Sequence, residues 1–259
     1  IAIPSYDRYN IKTLDYLEKE NVDKSFITIF VVDTEYDIYK KKYPEYNIII
    51  GELGICNQRN FITNYYENGD IVICMDDDIK TIIHLQDKPF LIWINECLDY
   101  MKDKNIGLLG VTSSTNIFWK KQSTAPDFQI KNFLCVGVFH IYKVIKSIQL
   151  SLQVLEDYER SCLYMKLYGG IIKYNPVVLQ TTYWSKGGCK SNGRNEEIYV
   201  KSVNDLLNKY PDLLTVSEKL IPSLNKTKKL PNIKIKKKID DGRSPNNFIL
   251  KKIEMKINE

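Results

Sequence analysis

Asp70-Ile71-Val72-Ile73-Cys74-Met75-Asp76-Asp77-Asp78 is the stretch on which the fold turns. Its continuous apolar run reads as a strand covered on both faces, and it ends abruptly in three carboxylates. Working outward, similar runs alternate with amphipathic stretches. Upstream lie a strand at Ile1–Pro4, a helix over Asn10–Glu20, a buried strand over Phe26–Asp33 and a short helix over Thr34–Lys42. A third strand follows at Asn47–Ile50, then a helix from Cys56 to Tyr66. Downstream the pattern predicts a helix over Pro89–Lys102, a strand over Ile106–Thr112 and a polar loop over Ser113–Pro126. A strand at Phe133–Tyr142, a helix over Val154–Tyr168, a strand at Ile171–Tyr174 and a helix over Glu196–Lys209 complete the series. Alternation of buried strands with helices predicts an α/β fold, with a mostly parallel sheet flanked by helices on both faces.

The 259 residues set a prior of one to two domains; 44% are hydrophobic and 27% charged, which excludes a disordered or fibrous chain. No apolar run reaches the roughly 18 residues of a membrane span, so no transmembrane segment is expected. The chain opens at Ile1 without Met or a leader pattern, as expected of a fragment or processed chain whose upstream signal could have been lost. Six scattered cysteines without a C-x-x-C pair, and two histidines, argue against structural zinc and for a reducing compartment, with a cytoplasmic location expected. The net charge of +5 is uneven: residues 223–259 carry ten Lys and one Arg against four acids, which leaves −2 on residues 1–222. We therefore expect one domain over 1–222 and a basic C-terminal tail over 223–259, extended or partly disordered, with a capacity for nucleic-acid contact.

In open parallel sheets ligands bind beyond the carboxyl ends of the strands, where Asp76-Asp77-Asp78 falls. Adjacent carboxylates repel unless a cation or hydrogen-bond donors hold them. Side-chain alternation would let Asp76 and Asp78 face one way, as a D-x-D pair for Mg²⁺ or Mn²⁺, with Asp77 elsewhere. A solvated acidic turn is the plain alternative. Pro4-Ser5-Tyr6-Asp7-Arg8 ends the first strand with an aromatic ring for a base and a guanidinium for phosphate, or is simply a capped turn. Asp33 and Glu35 end the second strand, where a carboxylate could accept from a base or ribose. Gly51 and Gly54 precede a helix whose first turn carries Asn57 and Arg59, suited to a diphosphate although no Walker G-K-[ST] is present. Glu156-Asp157 opens a later helix, where acids complement the dipole or one could be a general base. His84 and His140 read as core histidines, His140 sharing a face with Val136 and Val138. Trp184-Ser185-Lys186-Gly187-Gly188 suits either a closing loop or a surface turn.

Taken in order, Ile1–Tyr6, Val31–Asp33, Gly54–Asn60, Asp76–Asp78 and Glu156-Asp157 resemble the GT-A fold of nucleotide-sugar-dependent glycosyltransferases over residues 1–220. The resemblance implies that Pro4, Ser5 and Tyr6 line a nucleotide pocket, with Arg8 near its phosphates. It implies that Asp33 meets the base, Arg59 the nucleotide or its phosphates, and Asp76 the ribose or sugar, with Asn57 and Asp77 in the same pocket. Asp78, with Asp76, would ligate Mn²⁺ or Mg²⁺. Asp157 would be the base of an inverting reaction, with Glu156 next in line, and the Phe133–Tyr142 strand would form part of the acceptor side. Many relatives supply a late histidine as a metal ligand; none follows His140 here, which leaves water, or Lys186 or Lys190 toward the diphosphate. The short PSYDR and CNQRN versions resemble a viral or phage branch associated with enzymes that hydroxylate DNA pyrimidines, the group of the base J glucosyltransferase. That branch implies a host-cytoplasm or virion location. The resemblance thus implies transfer from a nucleotide-sugar donor, UDP-sugar foremost, to a hydroxyl of a glycan or modified DNA base. A sugar nucleotidyltransferase, and a nucleic-acid-binding module built on the tail, remain the rivals.

Overall fold

Four apolar runs, Ala2–Pro4 (β1), Thr28–Val31 (β2), Asn47–Ile50 (β3) and Ile71–Met75 (β4), lie parallel in the order β3-β2-β1-β4. The computed structural model describes residues 1–111, 123–181, 195–222 and 229–237. Next along the chain is Ile79–His84 (β5), which leaves the main sheet. Leu108–Val111 (β6), Phe128–Lys131 (β7), Phe139–Lys143 (β8) and Ile171–Tyr174 (β9) then extend that sheet to eight strands, β3-β2-β1-β4-β8-β6-β9-β7. β8 runs against β4 and β6, and β7 against β9, so six strands share one direction. The α/β architecture read from the sequence is the one observed.

Helices Lys12–Lys19 (α1), Tyr36–Lys42 (α2), Ile55–Tyr65 (α3), Phe90–Lys104 (α4), Glu156–Tyr168 (α5) and Glu196–Lys209 (α6) flank the sheet. α4 shows why such segments fold: Phe90, Trp93, Ile94, Cys97 and Met101 recur at helical spacing and are all buried. Its end is set by Asn105 in the left-handed region, with Lys102 and Lys104 in the last turn. α6 starts where Asn195 caps the Ile198 N–H. No helix among the described residues is long and apolar enough to cross a membrane. Cys56, Cys74, Cys97, Cys135 and Cys162 are buried free thiols.

The structure corrects one sequence expectation. The strand expected over Phe133–Tyr142 begins only at Phe139. Before it the chain crosses over β6, where Cys135 sits against Gly110; a Cβ at Gly110 would lie 2.4 Å from its sulfur. The Cys135 N–H is taken by Ser161 rather than by a neighbouring strand. Val136 and Val138 therefore do not share a strand face with His140. Within the basic segment beyond residue 222, two short strands pair with the preceding chain. Lys229–Leu230 (β13) pairs with Ile221–Pro222 (β12), and Ile233–Ile235 (β14) pairs with Leu214–Val216 (β11). Ile233 is buried, and its carbonyl accepts from Tyr158 of α5. Apolar residues spaced at two within a Lys-rich sequence give this anchoring, a pattern the charge count masks.

One further strand, Val177–Thr181 (β10), pairs antiparallel with β5 and brings Thr181 opposite Ile79, beside the acid triplet. One turn along α5 from Glu156, Glu159 is fully buried. Its carboxylate accepts from the Ser151 and Leu152 N–H groups, from the Ser151 hydroxyl, and from Lys209 of α6 at 2.5 Å. Burial opposes its charge, but these donors outweigh burial and hold its pKa below the ordinary 4.5. A carboxyl lowered in this way stabilises the fold above its unfolded pKa and loses that contribution as pH falls through the folded value. Glu159→Ala should thus cost about 3 kcal/mol in urea unfolding at pH 7. The gap to the unaltered protein should narrow on acidification below pH 4.5, whereas a pH-independent gap would discount the ionic origin.

Candidate active site

β4 stops at Met75, and Asp76-Asp77-Asp78 forms the turn into β5. Turn geometry breaks the two-residue alternation that would have set Asp76 and Asp78 together. Instead Asp77 and Asp78 converge on Arg8, whose Nη1 donates to Asp77 Oδ1 at 2.6 Å and to Asp78 Oδ2 at 2.9 Å. Asp76 turns to Arg59, which donates from Nη2 at 2.9 Å. The turn's backbone is held by Thr13, fully buried in α1. Its hydroxyl donates to the Asp76 carbonyl and accepts from the Ile79 N–H, while its own N–H reaches the Asp77 carbonyl. Thr13 was not legible in the sequence, where it looks like one more polar residue on a helix.

The Pro4–Arg8 segment serves this turn more than it opens to solvent. Pro4 and Ser5 are buried, and the Ser5 hydroxyl donates to Asp77 Oδ2 at 2.7 Å while sharing a bond with Tyr39. Asp7 sits in the left-handed region with φ 51°, and its N–H is held by the Glu35 carboxylate, which also accepts from Tyr9. Glu35 thus braces the loop from which Arg8 reaches the acids. Tyr6 is half-buried, and Asp33 is exposed at the start of a short 3-10 turn.

Arg59 is only 2% exposed and does not face solvent as a phosphate ligand would. It lies under the site, also contacting Cys74 and the Gly137 carbonyl, with its Nε 3.9 Å from Glu156 Oε1. Asn57 is exposed and bonded to the Leu53 carbonyl. The two glycines before α3 have separate reasons. Gln58 occupies the space a Cβ on Gly51 would need, and Gly54 takes φ 93°. Gly137, another residue missed from sequence, closes the wall: a Cβ there would lie 3.0 Å from Arg59 Nη2 and 3.7 Å from Glu156 Oε1. Lys186, Trp184 and Lys190 lie outside the described residues.

Electrostatics single out three groups. Burial pushes Asp77 up to about 6, although Arg8 and Ser5 pull it down. Burial also raises Asp76, which nevertheless keeps 29% of its side chain accessible. Asp157, half-buried at the N-terminal turn of α5, is pushed up to about 7 by burial and by Glu156, against Tyr158 N–H, Arg59 and Arg160. Behind it, buried Arg160 donates to His140 Nε2 and stacks over Tyr142. Burial and the two arginines hold His140 well below the ordinary histidine range, so it is a neutral acceptor. His84, bonded to Tyr174 and the Gln86 N–H, is a satisfied core histidine.

For a divalent ion the donor set is hard oxygen, as Mg²⁺ and Mn²⁺ require. Among the described residues no three His, Cys, Asp or Glu side chains converge as a metal cluster. Asp76 turns to Arg59 and Asp78 to Arg8, so the two would hold such an ion only after changing partners, with phosphate oxygens and water finishing its sphere.

No protein-family model and no curated protein matches the sequence. Among solved structures the chain is similar to 4-diphosphocytidyl-2C-methyl-D-erythritol synthase from Anaerococcus prevotii at 15% identity and a TM-score of 0.32. The match covers 44% of this chain and 55% of that one, so it spans about half of each, and it assigns no activity.

Arg59 is the link between the acid turn and α5. Arg59→Gln removes one of the charges that holds Asp157 down, so the Asp157 pKa should climb above about 7. A carboxyl-detected NMR titration checks this, and an unmoved value would detach Arg59 from the α5 acids.

Proposed function

We propose that this chain transfers a sugar from a nucleotide-diphosphate donor, UDP-sugar foremost, to an acceptor hydroxyl on a glycan or a hydroxylated DNA base. The observation that carries the reading is the convergence on Arg59 of Asp76, at the end of β4, and Glu156, which is followed by Asp157. Two acidic groups about eighty residues apart in sequence thereby meet one guanidinium, and Asp76 lies just beyond the carboxyl end of a parallel strand, where ligands of such sheets bind.

In this reading Asp157 is the general base. A carboxylate poised near 7 is ionised in a useful fraction at neutral pH and still basic enough to take an acceptor proton. Glu156 raises that basicity by like-charge repulsion, and Arg59 and Arg160 keep it from rising further. Tyr6, Asp33 and Asn57, with Lys186, are the side chains we assign to the donor, and Asp76 to its sugar end, with buried Asp77 supporting the turn beneath. Pro4 and Ser5 shape the pocket from beneath. Mn²⁺ or Mg²⁺ held by Asp78 and Asp76 would supply positive charge for the departing diphosphate. Arg8 sits beside Asp78 and adds to that charge. The Lys-rich segment beyond residue 222 suits phosphate contact if the acceptor lies in nucleic acid.

A panel of nucleotide sugars, read by release of nucleoside diphosphate, tests the activity. With the cognate donor, kcat/KM should rise with pH through about 7 and level off, because the base works only when ionised. Asp157→Asn should lower the rate ~10²–10⁴-fold and abolish that inflection. An unchanged rate would remove Asp157 from the chemistry. Pyrophosphate release from a nucleoside triphosphate with sugar 1-phosphate would instead mark nucleotidyl transfer.

A further inference from the structure

Arg8 occupies a poor seat for a guanidinium. Both of its bonds to the acid turn leave from one nitrogen, Nη1, so neither carboxylate is gripped by the two-pronged geometry that makes Arg–carboxylate pairs strong. Its Nε is buried with no hydrogen-bond partner, and its side chain keeps 20% exposure, toward which it could move. Among the described residues the acids of the site also outnumber its guanidinium groups. Asp76, Asp77, Asp78, Glu156 and Asp157 face Arg8, Arg59 and Arg160, five carboxyl groups against three guanidinium groups. Arg59 and Arg160 are buried within the wall, which leaves Arg8 as the guanidinium of these three with room to change partners.

We propose that Arg8 is an exchangeable counter-ion on Asp78, which keeps a divalent cation from binding alone and makes cation and diphosphate bind together. The inference rests on the transferase reading and deepens it. When the diphosphate arrives, its oxygens offer the guanidinium the two-pronged partner it lacks on the acid turn, and Asp78 is released to the cation. Each ligand then favours the other by the same factor, as linkage requires. Asp77 keeps its bond from Ser5 throughout, so the exchange leaves the buried acid of the turn with a donor.

Mn²⁺ binding followed by electron paramagnetic resonance, with and without UDP, measures this coupling directly. The unaltered protein should bind Mn²⁺ weakly alone and on the order of tenfold or more tightly with UDP, within the usual range of coupling between sites. Arg8→Gln should bind Mn²⁺ alone at least about tenfold more tightly, lose most of the UDP enhancement, and bind UDP more weakly. Arg8→Lys keeps a charge beside Asp78 and should leave Mn²⁺ alone weak. Asp78→Asn added to Arg8→Gln should abolish the gain, which ties it to that carboxylate and not to altered folding. Equal Mn²⁺ affinity in Arg8→Gln and the unaltered protein, with thermal unfolding of both cooperative, overturns the proposal. Tight Mn²⁺ binding by the unaltered protein without UDP overturns it as well. Sugar transfer that persists in EDTA would sink the exchange while leaving the transferase reading standing; failure of every nucleotide to bind would sink both.

Discussion

Three carboxylates in one turn at the end of a buried strand cannot stand without compensation, and much of the surrounding structure supplies it. At roughly 4 Å, two like charges repel by about 4 kcal/mol in the effective dielectric of a protein surface. Arg8 and Arg59 approach the triplet from opposite sides, one from the loop after β1 and the other from α3. Thr13 ties down the turn's carbonyls, and Ser5 gives Asp77 a hydroxyl donor. Asp77 still sits near 6, so compensation is incomplete and the turn remains electrostatically loaded.

Holding those guanidinium groups in place explains features that otherwise look unrelated. Glu35 locks the strained Asp7 backbone, which sets the path to Arg8. Gly137 is bare because the Arg59 and Glu156 side chains fill the space beside it. Asn60, one residue beyond Arg59, clamps both the N–H and carbonyl of Leu150, and so fixes the segment that leads into α5. The acids of α5 therefore take their position from the same helix that carries Arg59. Structural and chemical demands meet on α3.

The sequence made the architecture legible because buried parallel strands are nearly continuous apolar runs. Asn47–Ile50 and Ile171–Tyr174 match their expected limits, as does α6. β5, β7 and β10 escaped because they are edge or two-stranded elements with mixed polarity, such as Phe128–Lys131. The candidate residues of the acid turn and α5 were legible as residue types at strand and helix ends, but their partners were not. Whether Arg59 faces ligand or Asp76 depends on helix rotation against the sheet, a tertiary quantity that local pattern does not encode. The same holds for Thr13 and Gly137, whose importance lies wholly in what packs against them.

The buried pair Arg160–His140 extends this logic inward. A guanidinium without a carboxylate partner would strongly disfavour burial, and here a neutral imidazole and the face of Tyr142 receive it. Arg160 bonds His140 and lies over Tyr142, yet its field lowers Asp157 from behind. Arg59 does the same from the side. A carboxyl pKa near neutrality is thus reached by opposition: burial and Glu156 drive the proton on, and two fixed guanidinium groups drive it off. Because both arginines are locked by the fold, that balance is set before any ligand arrives, whereas the charge on the acid turn is left to a residue that can move.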